Sequence, residues 1–286
     1  MSPQQNLLFL EQEEVLFTRG LLDQLLTESR LYKSGKDFQE LLDFIARLPN
    51  FAPFNAMLLQ IQKPGLRFAA SAHDWKRLFK RTIKLDARPL LILWPFGPVA
   101  LVYDQMDTEG AEALPEDVAA FSARGSIDHQ KLQTLFDRLE KKSIRCDDYD
   151  GGDGNAGSIR PVHRAVDKKD RNFYRIGINQ NHTAVVRFST LAHELGHLFL
   201  GHLGEDKHLV IPDRSHIIHK MREIEAESVA YLVCKRTGVE PKSQTYLSDF
   251  VKPDTSVDTI EIYPIMRAAG QVETILGIAS PSKFNY

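Results

Sequence analysis

The stretch STLAHELGHLFLGH, Ser189 to His202, restricts the possible folds more than any other part of this chain. In a helix, residues four apart stack on one face, so His193 and His197 present two imidazoles to a single point. Two nitrogens held that way suit a metal ion, zinc above all, which takes three protein ligands at a catalytic site and keeps one position for water. Glu194 stands at the edge of the same face, placed to take a proton from a water that the metal acidifies. The flanking runs FSTLA and LFL are apolar, so the helix is expected to be buried, where an unpaired carboxylate is costly. The fold must therefore bring a third ligand to a buried helix.

His202 does not have the spacing for that ligand. In metzincins the third histidine follows the second by six residues, with a glycine three before it. Those positions hold Leu203 and Leu200 here, and His202 falls one residue short. It is expected at the helix end or on the rim of a cleft. The segment MREIEAESVAY offers glutamates instead. Glu223 and Glu227 lie four apart on one helix face, while Glu225 points away from them and is expected to face solvent. One of the pair can bind the metal while the other holds a ligating histidine's free N–H. The reading is a Zn2+ site of His193, His197 and Glu223, with Glu227 behind a histidine and Glu194 as general base; exchanging Glu223 and Glu227 is the alternative. For the group that stabilises the developing oxyanion, His216, His219, Tyr231 and Arg187 are open choices.

The 286 residues are 43% hydrophobic and 26% charged, with a formal charge of −2, an ordinary globular balance with no global field toward nucleic acid or membrane. Cys146 and Cys234 are far apart and outside any Cys-x-x-Cys pattern, as expected of free thiols in a reducing compartment. The N-terminus lacks a basic leader region, and no window nears the ~20 apolar residues that span a bilayer. A cytoplasmic protein without a membrane segment is expected.

Apolar steps of three and four predict helices over LLFLEQEEVLFTRGLLDQLLTES, KDFQELLDFIARL, FNAMLLQIQ and DHQKLQTLFDRLEKKS. RPLLILWPFG and GPVALVYDQMDT read as two buried strands of a hairpin. DDYDGGDGNAG, Asp147 to Gly157, is the richest turn segment and the best boundary, dividing the chain into 1–146 and 147–286. A calcium loop there fails, because Gly152 and Ile159 stand where oxygen ligands belong. GSIRPV and NFYRIGIN follow as strands, and FYRIGIN is either an interior strand or an edge that could pair with an extended substrate.

From Lys63 to Arg88 eight cations face only Asp74 and Asp86, with Phe68, Trp75 and Phe79 among them. Cations with aromatic faces suit single-stranded DNA. The four-residue step from Trp75 to Phe79 instead suits a helix whose aromatics are core.

The stretches RFSTLAHELGHLFLGH and REIEAESVAYLVC, with FYRIGIN just upstream, resemble the ImmA/IrrE family of gluzincin-like metallopeptidases. The resemblance implies an α+β zincin-like metallopeptidase domain: a small sheet over an active-site helix, and a glutamate helix completing a His-His-Glu zinc site. Carried over, His193 and His197 match the histidine ligands, Glu194 the general base and Glu223 the glutamate. A mostly helical region with a β-hairpin precedes that domain. The tail YLSDFVKPDTSVDTIEIYPIMRAAGQVETIL and, faintly, the N-terminal half are similar to ArdC-type antirestriction proteins. The implied function is cleavage of an intracellular protein substrate, a repressor by family analogy, although no helix-turn-helix module follows the zincin part. The alternative is a single-stranded-DNA-binding antirestriction protein whose zinc is structural or vestigial.

Overall fold

The computed structural model describes residues 34–94, 97–110, 127–151, 155–167, 170–240 and 259–279. The first helix expected from the sequence, and residues 152–154 of the acidic segment, lie outside them. Helix α1 (Gly35–Arg47) starts at a reciprocal cap, with Ser34 accepting from the Asp37 N–H and the Asp37 carboxylate accepting from that of Ser34. Such a box satisfies two donors that a helix start leaves open. Helix α2 (Pro53–Gln62) begins on a proline, which has no N–H to waste there.

The hairpin strands β3 (Leu90–Trp94) and β4 (Gly97–Asp104) pair antiparallel, and the short β1 (Ala69–Ala70) adds to the other edge of β4. Helix α3 (Ala72–Phe79) and the two-residue strands β2 (Thr82–Ile83) and β5 (Thr108–Glu109) complete this region. The strands are buried on one face only, which corrects the expectation of two fully buried strands. Leu90, Ile92 and Val102 enter the core, whereas Leu91, Val99 and Leu101 face outward. The free edge of β3 is covered from α2. The Asn55 amide exchanges two hydrogen bonds with the backbone of Leu93, both 3.0 Å. Gln62 does the same with Leu91 at 2.8 Å.

After helix α4 (His129–Glu140) comes a sheet of order β6-β8-β7. Strand β6 (Ile144–Tyr149) runs parallel to β8 (Phe173–Asn179), and β7 (Gly157–His163) runs antiparallel to it. FYRIGIN is thus the central strand, with Tyr174, Ile176 and Ile178 buried. Of its two expected roles the interior strand holds, and it has no free edge for a substrate. The edge beside the active-site helix is β7. Asp147 and Asp148, expected in a turn, extend β6, where Arg145 and Arg175 hold Asp147 and Arg187 holds Asp148. The expected division at 146/147 falls inside this strand. One hydrophobic cluster joins Phe38 and Leu42 of α1 to Ile176 and to the helices that follow.

The hydrogen-bond phase of β7 turns part of its backbone outward. The Asn179 N–H bonds the Ala156 carbonyl, so the alternation of an antiparallel pair turns the backbone groups of 157, 159 and 161 away from β8. Of these, Pro161 has no N–H at all.

Helix α5 (Ala184–Phe199) packs on this sheet, α6 (His219–Arg236) packs on α5, and α7 (Ile262–Leu276) packs on both helices. A Cβ on Gly196 would lie 3.1 Å from the Ala226 carbonyl oxygen, so the missing side chain lets α5 and α6 approach closely. Among the described residues no helix is long and apolar enough to cross a membrane.

Candidate metal centre

Helix α5 is capped by Thr183, which accepts from the Val186 N–H, and it is buried along most of its length. Its His193 and His197 rings face α6 with their Nε2 atoms 3.1 Å apart. Across the gap Glu223 turns one oxygen to each, Oε2 at 3.4 Å from His193 Nε2 and Oε1 at 3.5 Å from His197 Nε2. Tetrahedral coordination with bonds of 2.0–2.1 Å sets neighbouring ligand atoms about 3.3 Å apart. The Nε2–Nε2 separation is close to that spacing, Glu223 sets a different oxygen near each nitrogen, and two imidazoles with one carboxylate form a donor set that zinc favours. These three residues are the one potential metal cluster found among the described residues.

Each histidine is held from behind. His193 Nδ1 lies 2.9 Å from Glu227 Oε2. His197 Nδ1 lies 3.0 Å from His202 Nδ1, and His202 Nε2 lies 2.9 Å from Glu225 Oε2. Arg214 closes on both oxygens of Glu225, at 2.8 and 2.7 Å. Of the two places expected for His202 the helix end holds, since it follows the α5 C-cap and is 2% exposed, not on a rim. The expectation for Glu225 is corrected, because it is 1% exposed and does not face solvent. Arg214, which comes from the loop before α6, is the participant that no sequence pattern signalled.

Glu194 is buried beside this cluster and accepts a hydrogen bond from the Ile159 N–H of β7. Burial and the neighbouring Glu223 charge raise its pKa, outweighing the nearby His193 and that N–H. Tyr149, at the end of β6, is close enough for the Glu194 charge to join burial in raising its own pKa. Burial disfavours charge on His193, but Glu223 and Glu227 overcome it and bring its pKa to about 10. On His197 burial prevails, aided by His193, and its pKa falls. Glu223 is held well below the usual carboxylate range by the neighbouring His193 first and then by His197.

The four oxyanion choices separate. Tyr231 is buried with its hydroxyl on Asp43. Arg187 is bound to Asp148 and lies over the Phe136 ring. His216 is exposed and makes no contact with the cluster. His219, one helical turn before Glu223, has Nδ1 3.4 Å from its Oε1 and is open to solvent. The structure brings only this one of the four to the metal ligands.

In the basic segment, Trp75 and Phe68 are buried and stack with Phe79 in a small core of their own. Lys63 pairs with Asp104 and Asp107, and Arg77 with Asp74. The aromatic faces a base would stack on are therefore used internally, while Lys76, Lys80, Lys84 and Arg88 remain exposed.

The segment that carries this site matches a known family. Residues 129–237 match Peptidase_M78, the IrrE N-terminal-like domain. The matched Peptidase_M78 segment runs from α4 to the end of α6 and contains His193, Glu194, His197 and Glu223. An uncharacterized protein of Bacillus anthracis is 23% identical over 84% of this chain. The chain spans about half, 48%, of that relative's length. Among solved structures, the metal-free antirestriction protein ArdC from plasmid R388 aligns over 87% of this chain and 98% of its own, with 16% identity and a TM-score of 0.39. Its Mn(II)-bound form aligns over the same shares at 15% identity, again with a TM-score of 0.39.

Proposed function

We propose that this chain is a zinc metallopeptidase that cleaves an intracellular protein, with His193, His197 and Glu223 holding the ion. The observation that carries the reading is that His193, His197 and Glu223 each bring a ligand atom within 4.8 Å of the others, with the buried Glu194 carboxylate beside them. The Peptidase_M78 match over the same residues supports it, and the free thiols Cys146 and Cys234 fit a reducing compartment.

Zinc in that seat would supply an acidified water and a Lewis acid for the scissile carbonyl. Glu194 takes the water's proton and passes it to the leaving amine. Its raised pKa brings it nearer the working pH, where a general base is most effective. His219 is assigned to the carbonyl oxygen as charge develops there. The outer edge of β7 lies next to Glu194 and offers backbone carbonyls to an extended peptide.

The test compares wild type with Glu194→Gln, which keeps the three ligands. Both should retain about one zinc per chain on metal analysis. Proteins cut in cells by the wild type should be cut about 10²–10⁴-fold more slowly by the variant, as removal of a general base predicts. A wild type that takes up no zinc, or a variant that cleaves normally, overturns the reading.

A further inference from the structure

The offset of His202 from His197 is wrong for a third ligand, and the structure explains what it suits. Gly201 adopts φ +83°, and a Cβ there would lie 2.0 Å from the Pro212 carbonyl oxygen, so only glycine fits. This turn folds the chain back beneath α5, with the His202 N–H on the His197 carbonyl at 3.1 Å. The His202 ring thereby reaches the back of His197, away from Glu223.

We propose that His202 is a positioning residue: together with Glu225 and Arg214 it holds His197 in the tautomer whose Nε2 is bare and aimed at the metal seat. The proposal rests on the metallopeptidase reading of the site and adds the device that prepares one of its ligands. Counting protons leads to it. Both Glu225 oxygens accept from Arg214 at 2.7 and 2.8 Å, and Arg214 also holds Glu261 and the Leu200 carbonyl. An ionised carboxylate only accepts, so His202 Nε2, 2.9 Å from Glu225, must carry a proton. Arg214 already matches the Glu225 charge, so His202 needs no second proton and its Nδ1 is bare. The 3.0 Å contact between the two Nδ1 atoms needs one proton between them, and only His197 can supply it. With its single proton on Nδ1, His197 keeps Nε2 free to bind metal.

The arrangement differs from that at His193, where Glu227 takes the outer nitrogen directly. At His197 the carboxylate stands one imidazole further back. Fixing ligand orientation in this way typically accounts for 10–100-fold in metal affinity.

The experiment uses the full chain with zinc as the probe. Zinc affinity is measured by competition with a chromogenic chelator for wild type, His202→Leu and His202→Asn. Long-range ¹⁵N–¹H spectra report the His197 tautomer with and without zinc. Both substitutions remove the bond to Glu225, but asparagine retains a carbonyl that can accept from His197 Nδ1–H. The expected result is a 10–100-fold loss of affinity in His202→Leu, partial recovery in His202→Asn, and an Nδ1–H signal for wild-type His197 even without metal. Equal affinity in wild type and His202→Leu, or no recovery in His202→Asn, overturns the proposal. If His202→Leu does not fold, a proton found on His197 Nε2 in the metal-free wild type overturns it. A wild type that binds no zinc refutes the peptidase reading, while the metal-free tautomer still decides the role of His202.

Discussion

Glu223, Glu225 and Glu227 are adjacent alternate residues of one helix, and each meets a different partner. Glu223 faces the two Nε2 atoms, Glu227 the back of His193, and Glu225 the buried pair of His202 and Arg214. On the proposed reading, Glu223→Ala abolishes stoichiometric zinc, whereas Glu227→Gln still takes up one ion with affinity about 10–100-fold weaker. Metal analysis after gel filtration, followed by chelator titration, separates the two; equal losses would contradict the assignment. Sequence spacing showed that Glu223 and Glu227 share a face, because that follows from helical geometry alone. It did not show that Glu225 is buried. The opposite face of α6 is covered by residues from elsewhere, and a carboxylate there survives because Arg214 arrives from a loop with no periodic signature.

Strand β8 was legible because its apolar residues alternate, and α5 because its motif is dense. Which strand lies between which was not, since pairing is decided between segments rather than within one. Strand β6 was hidden by Asp147 and Asp148, turn-favouring residues whose charge is offset by Arg145, Arg175 and Arg187. A related device protects β3, whose outer backbone groups are bonded by the amides of Asn55 and Gln62. Removing both with Asn55→Ala and Gln62→Ala should cost about 1–3 kcal/mol of stability in urea unfolding. It also bares a strand edge flanked by the exposed Leu91 and Leu101, so the variant should self-associate with concentration in light scattering. A monomer of unchanged stability would show that the amides are incidental.

At the scale of the whole molecule, Arg236 is the most connected side chain among the described residues. It donates to the carbonyls of Ile45, Leu48 and Phe51 and to the Glu273 carboxylate. It thus joins α6 to the end of α1 and to α7, tying the helical N-terminal region to the helix that carries Glu223. Arg236→Met leaves a buried Glu273 without its partner and should cost about 3–5 kcal/mol, read from the urea midpoint. A cost below about 1 kcal/mol would mean that the regions are held by apolar packing alone. The outer side of β7 has a consequence of another kind. Positions 157, 159 and 161 point three carbonyls outward, but the Ile159 N–H is taken by Glu194 and Pro161 has none to give, leaving Gly157 as the remaining donor. Two copies of this edge would bring six acceptors and two donors to a shared ladder, so the protein is poorly matched to itself. A foreign chain with its own amides meets no such deficit. On the proposed reading, the shortage of donors suits this edge to a substrate chain better than to a second copy of itself.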